Sequence, residues 1–481
     1  MRSEVLSSLR WLLTARLLAQ LVTWVATIFI IRILSPNDYG LMALAGMFIG
    51  FFGLFEEMGL SAAIINKRQL ADSDIKNILG LVIVFGITVY LLIYMCSSVV
   101  ANFFEEPDLA AILKCLALRL PVSSLASVPR ALIQREMLFQ KKSVVEFLCA
   151  VISSIATLGL AIAGWGVWAL VYGSLGFAIA NMIGLWIVLG KIYSPSFELR
   201  KLLAEMKFGG LVSMDRILWY LSTQADVFFI GRFLGNEQLG IYSVAMQLAT
   251  LPMQKVTVIF NEVGFAAFSR IQLDLKEATR KFVFAVRMIS FIAFPIFFGI
   301  ASVSSDIVSV LLGPDWVAVA MPLWLLAIPV PLRLLESINT TVLFGLGRPG
   351  KAATNNLFSL ALLVPCFAAA SYWGNIVTVC LVWLTVYPIC FLITLTRTLS
   401  ITELTLGNYF LQLFKPCMFS AIVYGSAVFI KVVFPSFISN GILFLVCAII
   451  IGSLVYALLQ LVFNRSTFTS FVFLMSHKSS N

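Results

Sequence analysis

Charge is scarce in this chain. Only 12% of its 481 residues are Asp, Glu, Lys or Arg, about half the roughly 25% of an average soluble domain. Against that stand 60% hydrophobic residues and a mean hydropathy of +1.00. A soluble multidomain enzyme is excluded, because too little polar surface exists to coat so much apolar mass. Histidine is scarcer still: His477, in the polar tail, is the only one. Histidine catalysis and histidine metal sites are thereby excluded from the apolar body. Eight cysteines occur, but no CxxC pair, and each stands inside an apolar run. They read as small hydrophobes, not as disulfides or metal ligands.

What the chain does have is long apolar runs, each near the ~20 residues that cross a bilayer as a helix. Six extend from Trp11–Leu34 to Val167–Leu189, and six more from Phe208–Leu234 to Ile376–Leu395. The second six include the long runs Phe282–Leu312 and Trp316–Leu346, and Cys417–Phe434 and Ile442–Phe463 follow. The short alternating strands of a membrane β-barrel do not read this way. The runs predict an all-α polytopic membrane protein with fourteen transmembrane helices.

Charge placement predicts the orientation. When the loops are assigned alternately to two sides, 23 of the 33 Lys and Arg residues fall on the side of the N-terminus. Arg130, Arg135, Lys141 and Lys142 are among them. The loops of the other side hold Asp38, Glu105, Glu106, Asp108, Glu237 and Asp315 but no Lys or Arg. The positive-inside rule then puts both termini in the cytoplasm, which fits an even number of spans. The net charge of +10 is thus a topology signal and not a nucleic-acid footprint.

The chain also repeats itself. Arg16–Ala45 lies over Arg216–Ala245 without a gap, with ten identities that include Arg16/Arg216, Arg32/Arg232 and Gly40/Gly240. Six helices separate the copies, so both have the same orientation, the parallel-repeat arrangement of alternating-access transporters. The organisation predicted is a six-helix lobe at 1–190, a cytoplasmic linker at 191–207, a second six-helix lobe at 208–397, and two additional helices with a tail at 398–481. The two pseudo-symmetric bundles would flank a central cavity.

Ionisable residues within spans are costly and usually face a cavity or a partner. Arg16, Arg119, Arg216, Lys255 and Arg333 are the deepest basic residues and the candidates for holding an anionic substrate. The competing reading is structural pairing, for example Arg333 with Glu336 at i,i+3. Asp226 has no basic neighbour at i±3 or i±4, and with Glu56 and Glu57 it is a candidate for proton or cation coupling. Arg32 and Arg232 sit at helix ends, where they can snorkel, and Lys431 reads as interfacial. Gly345–Lys351 fits the first seven places of a P-loop, but Ala352 replaces the Ser or Thr that binds Mg²⁺. It reads as a helix-ending turn, so neither a nucleotide nor any other cofactor is implied.

Several segments resemble a known family. LSPNDYGLMALA (Leu34–Ala45), EEMGLSAAII (Glu56–Ile65), ALIQREMLF (Ala131–Phe139), GWGVWALV (Gly164–Val171), DVFFIGRFLGNEQLGIYSVA (Asp226–Ala245) and LLGPDW (Leu311–Trp316) are similar to bacterial polysaccharide flippases of the Wzx type. These belong to the multidrug/oligosaccharidyl-lipid/polysaccharide exporter superfamily, and ALIQREMLF with GWGVWALV resembles the subgroup of the colanic acid exporter. The likeness runs from Arg10 to about Arg397. It implies paired six-helix bundles around a cavity, in a bacterial inner membrane. It also implies a non-enzymatic transporter of a polyprenyl-diphosphate-linked oligosaccharide, moved from the cytoplasmic to the periplasmic leaflet. Its partners would be membrane lipids and this substrate, with room for a polysaccharide polymerase and chain-length machinery. A cation-coupled drug antiporter of the same superfamily is the alternative. A membrane glycosyltransferase or polymerase fits less well, because the longest loops, near 190–207 and 396–415, leave no room for a catalytic domain.

Overall fold

Hydrocarbon offers no water to backbone N–H and C=O groups, so a chain this apolar must satisfy them internally as helix. The computed structural model of the chain describes residues 22–57, 71–136, 138–197, 210–272, 274–433 and 441–476. At 55–57, 139, 210–214, 254–263, 265–267 and 472–476 only the backbone is described. Helices are the regular structure of the described residues, among which there is no strand, and 190–197 is an extended non-helical stretch. In chain order the helices are α1 (Val22–Ile33), α2 (Pro36–Glu57), α3 (Asp72–Phe104), α4 (Pro107–Leu116), α5 (Arg119–Arg135), α6 (Phe139–Ile162) and α7 (Val167–Leu189). Then follow α8 (Gly210–Phe233), α9 (Asn236–Arg270), α10 (Leu275–Ser302), α11 (Ser304–Ile307), α12 (Ala320–Ala327) and α13 (Val330–Gly345). The last are α14 (Pro349–Trp373), α15 (Ile376–Leu399), α16 (Leu406–Val433), α17 (Gly441–Phe463) and α18 (Arg465–Ser476).

Among the described residues ten helices are long and apolar enough to cross a membrane, or eleven with one bent pair. Helices α8 and α9 stand outside that set, each carrying four charged residues. Two apolar runs are not single straight helices. Trp316–Leu346 bends by 45° between α12 and α13, where Pro329 and Pro331 remove backbone donors. Phe282–Leu312 ends its long helix at Ser302 and continues through α11 into a π-turn at Val308–Leu312.

The chain divides into two compact units, Met1–Tyr220 with Gly231–Gly240, and Leu221–Ile230 with Ile241–Asn481. In the first unit, α3 and α5 pack Ile75, Ile78, Leu79 and Val82 against Val128, Ala131 and Leu132, with Trp186 over the seam. Pro129 lies inside α5 and has no N–H for the Leu125 carbonyl. That carbonyl accepts instead from Trp186 Nε1 at 3.0 Å, which closes the backbone account. Two motifs far apart in sequence meet at Asp38. Its carboxylate accepts from Val167 N at 2.9 Å, capping α7, and also from Ser35 N at 2.9 Å. Gly166 turns into α7 at φ +52°, a conformation that favours glycine. An anion there also meets the positive end of the helix dipole.

In the second unit, α10 packs along α16, and the last helices are stitched to the rest. Tyr456 Oη donates to the Phe291 carbonyl at 2.8 Å, Trp324 Nε1 donates to Tyr424 Oη at 2.9 Å, and Arg287 Nε donates to Gln412 at 2.9 Å. Lys431, in the last turn of α16, forms an ion pair with Asp306 and donates to the Ser302 carbonyl at 3.0 Å. Gly347, at φ +69°, ends the α13 segment, and Pro349 opens α14, so the P-loop-like stretch is the helix-ending turn expected.

The repeat has a physical counterpart within the first unit. A Cβ on Gly40 would land on the Asn236 carbonyl, and a Cβ on Gly240 on the Pro36 carbonyl. Pro36 and Asn236 are themselves 200 residues apart, so the starts of α2 and α9 pack reciprocally, each glycine admitting the other helix's backbone. At Gly46, by contrast, an added Cβ meets nothing within 4 Å. Gly40→Ala and Gly240→Ala should each destabilise by about 1–3 kcal/mol or more, the cost of overpacking. Reduced membrane abundance and a lower melting temperature would report it, whereas Gly46→Ala should leave both unchanged or raised.

Candidate functional site

The candidate residues separate into the two units. Arg16 lies outside the described residues, and Glu56, Glu57 and Lys255 have described backbone only. Arg216 is exposed on the first-unit part of α8. Arg119 begins α5 in the first unit, and Asp226 and Arg333 belong to the second.

In the second unit the structure joins two residues to which the sequence gave separate roles. Asp226 is 1% exposed and surrounded by donors. Val227 N reaches Oδ1 at 2.7 Å, Tyr242 Oη donates to Oδ2, and Trp383 Nε1 reaches Oδ2 at 3.1 Å and Tyr242 Oη at 2.8 Å. Arg333 stacks over the Trp383 ring with its guanidinium carbon 4.5 Å from the centroid and donates to Met246 Sδ at 3.3 Å. Trp383 thereby touches both Asp226 and Arg333. A buried carboxylate, two aromatic donors and a stacked guanidinium thus form one network, of the kind a low-dielectric interior requires.

The Arg333–Glu336 ion pair expected from i,i+3 spacing is not formed. Glu336 accepts from Thr394 Oγ1 at 2.9 Å and from Asn339 Nδ2 at 3.2 Å, while the Trp383 ring holds Arg333. Spacing on one helix could not anticipate it, because Trp383 and Thr394 lie on α15. Arg232, read from the sequence as a snorkelling helix-end residue, bridges to Glu105 at 2.9 Å and lies over the Phe103 ring.

The first unit contains a cavity of about 360 Å³ between α2 and α5. One wall is the glycine stripe Gly46, Gly50 and Gly53; the other carries Arg119, Ser123, Ser127 and Arg130. These four stand at i, i+4, i+8 and i+11, one face of a helix. Arg119 donates to Ser174 Oγ at 3.3 Å. Arg130, which the sequence reading counted with the loop charges, lies inside α5, and its buried Nε has no hydrogen-bond partner. The R-x3-S-x3-S-x2-R spacing was the available signal for it, and Tyr242 and Trp383 had none. The cavity suits an anion, since no carboxylate is among the described residues that line it.

The Asp226 network should be stabilising because every oxygen of a buried carboxylate needs donors. Tyr242→Phe and Trp383→Phe should each cost about 1–3 kcal/mol, the penalty for leaving a buried polar group short of a partner. Thermal unfolding of the purified protein measures this, and an unchanged midpoint in both would show that the network adds nothing.

Comparison with known proteins places this geometry. The family model for a polysaccharide biosynthesis protein matches residues 29–321. The teichuronic acid biosynthesis protein TuaB of Bacillus subtilis is 28% identical over 76% of either chain. The lipopolysaccharide biosynthesis protein WzxC of Escherichia coli is 24% identical over 80% of this chain and 79% of its own. Among solved structures, the lipid II flippase MurJ, in an inward closed conformation, shares the fold with a TM-score of 0.75 at 15% identity. The match covers 95% of this chain and 99% of that one. With more than half of its length matched by the family model, the chain belongs to the family of polysaccharide biosynthesis proteins.

Proposed function

We propose that this protein is a flippase that carries a polyprenyl-diphosphate-linked oligosaccharide from the cytoplasmic to the periplasmic leaflet for surface polysaccharide biosynthesis. The observation that carries this reading is the family match over residues 29–321, joined to a fold that a lipid II flippase shares. The proposal includes fourteen spans in a bacterial inner membrane and cytoplasmic termini. It also includes lobes at 1–190 and 208–397 joined by the 191–207 linker, with 398–481 as an added pair of helices.

The physical logic is electrostatic. A diphosphate leaving water needs guanidinium or ammonium groups in a shielded site, where charge-assisted hydrogen bonds are strong. Arg16, Arg119, Arg216, Lys255 and Arg333 are the proposed substrate contacts, and Asp226, with Glu56 and Glu57, the proposed coupling residues. The Asp226 network gives the two roles one mechanism. While Asp226 is ionised it offsets the charge of Arg333; a proton or cation on Asp226 releases that charge for an anionic substrate. Alternating access between two bundles then moves the headgroup.

Purified protein in vesicles should move a lipid-linked oligosaccharide into the lumen, where an enclosed glycosidase cleaves it. Vesicles that leave the oligosaccharide uncleaved but accumulate a cationic drug would favour the antiporter instead. Asp226→Asn should insert normally and lose its response to an imposed proton or sodium gradient. Arg216→Ala should abolish export at normal abundance, with Arg216→Lys keeping a part if charge outweighs bidentate geometry. Reporter fusions at Asp108 and Asp315 should report the periplasm.

A further inference from the structure

A groove between α14 and α15, in the second unit, plays no part in either feature described above. It holds about 220 Å³ and is lined by Phe358, Ser359, Ala361 and Leu362 of α14 and by Cys390 and Ile393 of α15. Phe358 is 48% and Ile393 39% exposed, so the groove opens away from the core, where in a bilayer it meets lipid chains. It is smaller than the roughly 300–1,000 Å³ of a pocket for a drug-sized ligand and suits a segment of one alkyl chain. We propose that this groove and the basic corner at its end form a site for one anionic phospholipid, with an acyl chain in the groove and the phosphate against Arg348, Lys351 and Arg397.

The helix faces that line the groove lead to the charges. On α14, Lys351, Thr354, Phe358 and Ala361 stand at i, i+3, i+7 and i+10; on α15, Cys390, Ile393 and Arg397 stand at i, i+3 and i+7. Each set is one face of its helix. Phe358 joins the two halves of the site: its ring lines the groove, and the Arg397 guanidinium carbon lies 4.5 Å from its centroid. Arg397 is also held in place. Its Nε donates to Asn355 Oδ1 and its Nη2 to Thr354 Oγ1, both at 2.8 Å, and Asn355 is buried. A guanidinium has five N–H donors; two are engaged among the described residues, which leaves an oriented set for phosphate oxygens. Lys351 Nζ lies 3.4 Å from Ser400 Oγ, and that hydroxyl donates to the Arg397 carbonyl, so the start of α14 and the end of α15 meet at this corner.

The charge there is uncompensated. Among the described residues Arg348, Lys351 and Arg397 form no ion pair, whereas Lys142, Lys191, Arg280 and Lys281, on the same side by charge pattern, each pair with an acid. A purely topogenic role asks for charge alone, and not for a guanidinium fixed over a ring that lines a lipid-facing groove. The orientation proposed above puts this corner at the cytoplasmic leaflet, whose anionic lipids are attracted to basic pockets between transmembrane helices. A zwitterionic phospholipid can place a chain in the groove as well, but its own cation opposes the cluster. Net headgroup charge is therefore what the site selects.

The test uses the purified full chain in phosphatidylcholine vesicles with a trace of a photoactivatable phospholipid, either phosphatidylglycerol or phosphatidylcholine, carrying a diazirine on one acyl chain. Cross-links mapped by mass spectrometry should fall on residues 358–362 and on Ile393, with the phosphatidylglycerol probe well ahead. Arg397→Gln, and separately Arg348→Gln with Lys351→Gln, should lower that preference about fivefold for each charge removed, the scale of one basic residue near an anionic surface. Arg348 and Lys351 are exposed, so their double variant keeps the test decisive should Arg397→Gln fail to fold. Lys281→Gln, an equal loss of charge at an acid-paired position, should leave the preference unchanged. Equal labelling of the groove by both probes in the wild type, or a preference that survives removal of all three charges, would overturn the site. A fall in Lys281→Gln as large as in the other variants would assign the preference to general surface charge and overturn it too. Neither readout involves transport, so the flippase reading and this site can fail independently.

Discussion

The constraint on which the rest of the structure depends is that hydrocarbon supplies no hydrogen bonds. Every polar group that enters it must find its partner inside the protein, or remain costly. Backbone groups meet the demand by forming helix, and the exceptions show how strict it is. Pro129 strands the Leu125 carbonyl, and an indole from α7 takes the missing donor's place. Lys431 enters the bundle only where Asp306 and the Ser302 carbonyl receive it. Asp226 is buried only because a phenol, an indole and a backbone amide converge on it. The demand is not met everywhere: among the described residues Arg130 Nε, Asn77 Oδ1, Ser124 Oγ and both amide atoms of Asn236 are buried without a hydrogen-bond partner.

The same constraint shows why some of the architecture was legible in the sequence and some was not. Helices follow from composition, since an apolar run has no other way to satisfy its backbone, and the repeat follows from matching residues at a fixed offset. Gly40 and Gly240 were visible as identities, but their use was not: each makes room for a carbonyl two hundred residues away. The broken run Trp316–Leu346 was visible as length alone, although Pro329 and Pro331 already marked where it bends. Asp38 stood out as a loop acid, yet its work is to cap a helix that begins at Val167. Sequence spacing reports neighbours on one helix well and neighbours on different helices hardly at all.

That limit governs the candidate site too. Arg333 and Glu336 looked like a pair because they are three residues apart, but in the fold Trp383 on α15 claims the first and Thr394 the second. Asp226 was chosen for lacking a basic neighbour on its own helix; Arg333, which shares Trp383 with it, comes from α13. The signal for Arg130 was present and was outweighed. A basic residue close to a cluster of loop charges was read as part of that cluster, although its register with Arg119, Ser123 and Ser127 placed it on a helix face.

The two units answer the problem of charge in apolar surroundings in opposite ways. In the second, the buried ionic groups described have partners: Asp226 is held by Val227 N, Tyr242 and Trp383, Lys431 by Asp306, Glu336 by Thr394 and Asn339. Compensation of this kind fixes structure and leaves little affinity for a ligand, unless one partner is neutralised first. In the first, the α2–α5 cavity holds basic side chains and hydroxyls without an acid among the residues described around it. A flippase needs both kinds of environment. The basic face of α5 and the Asp226 network are two such environments, one in each unit of the chain.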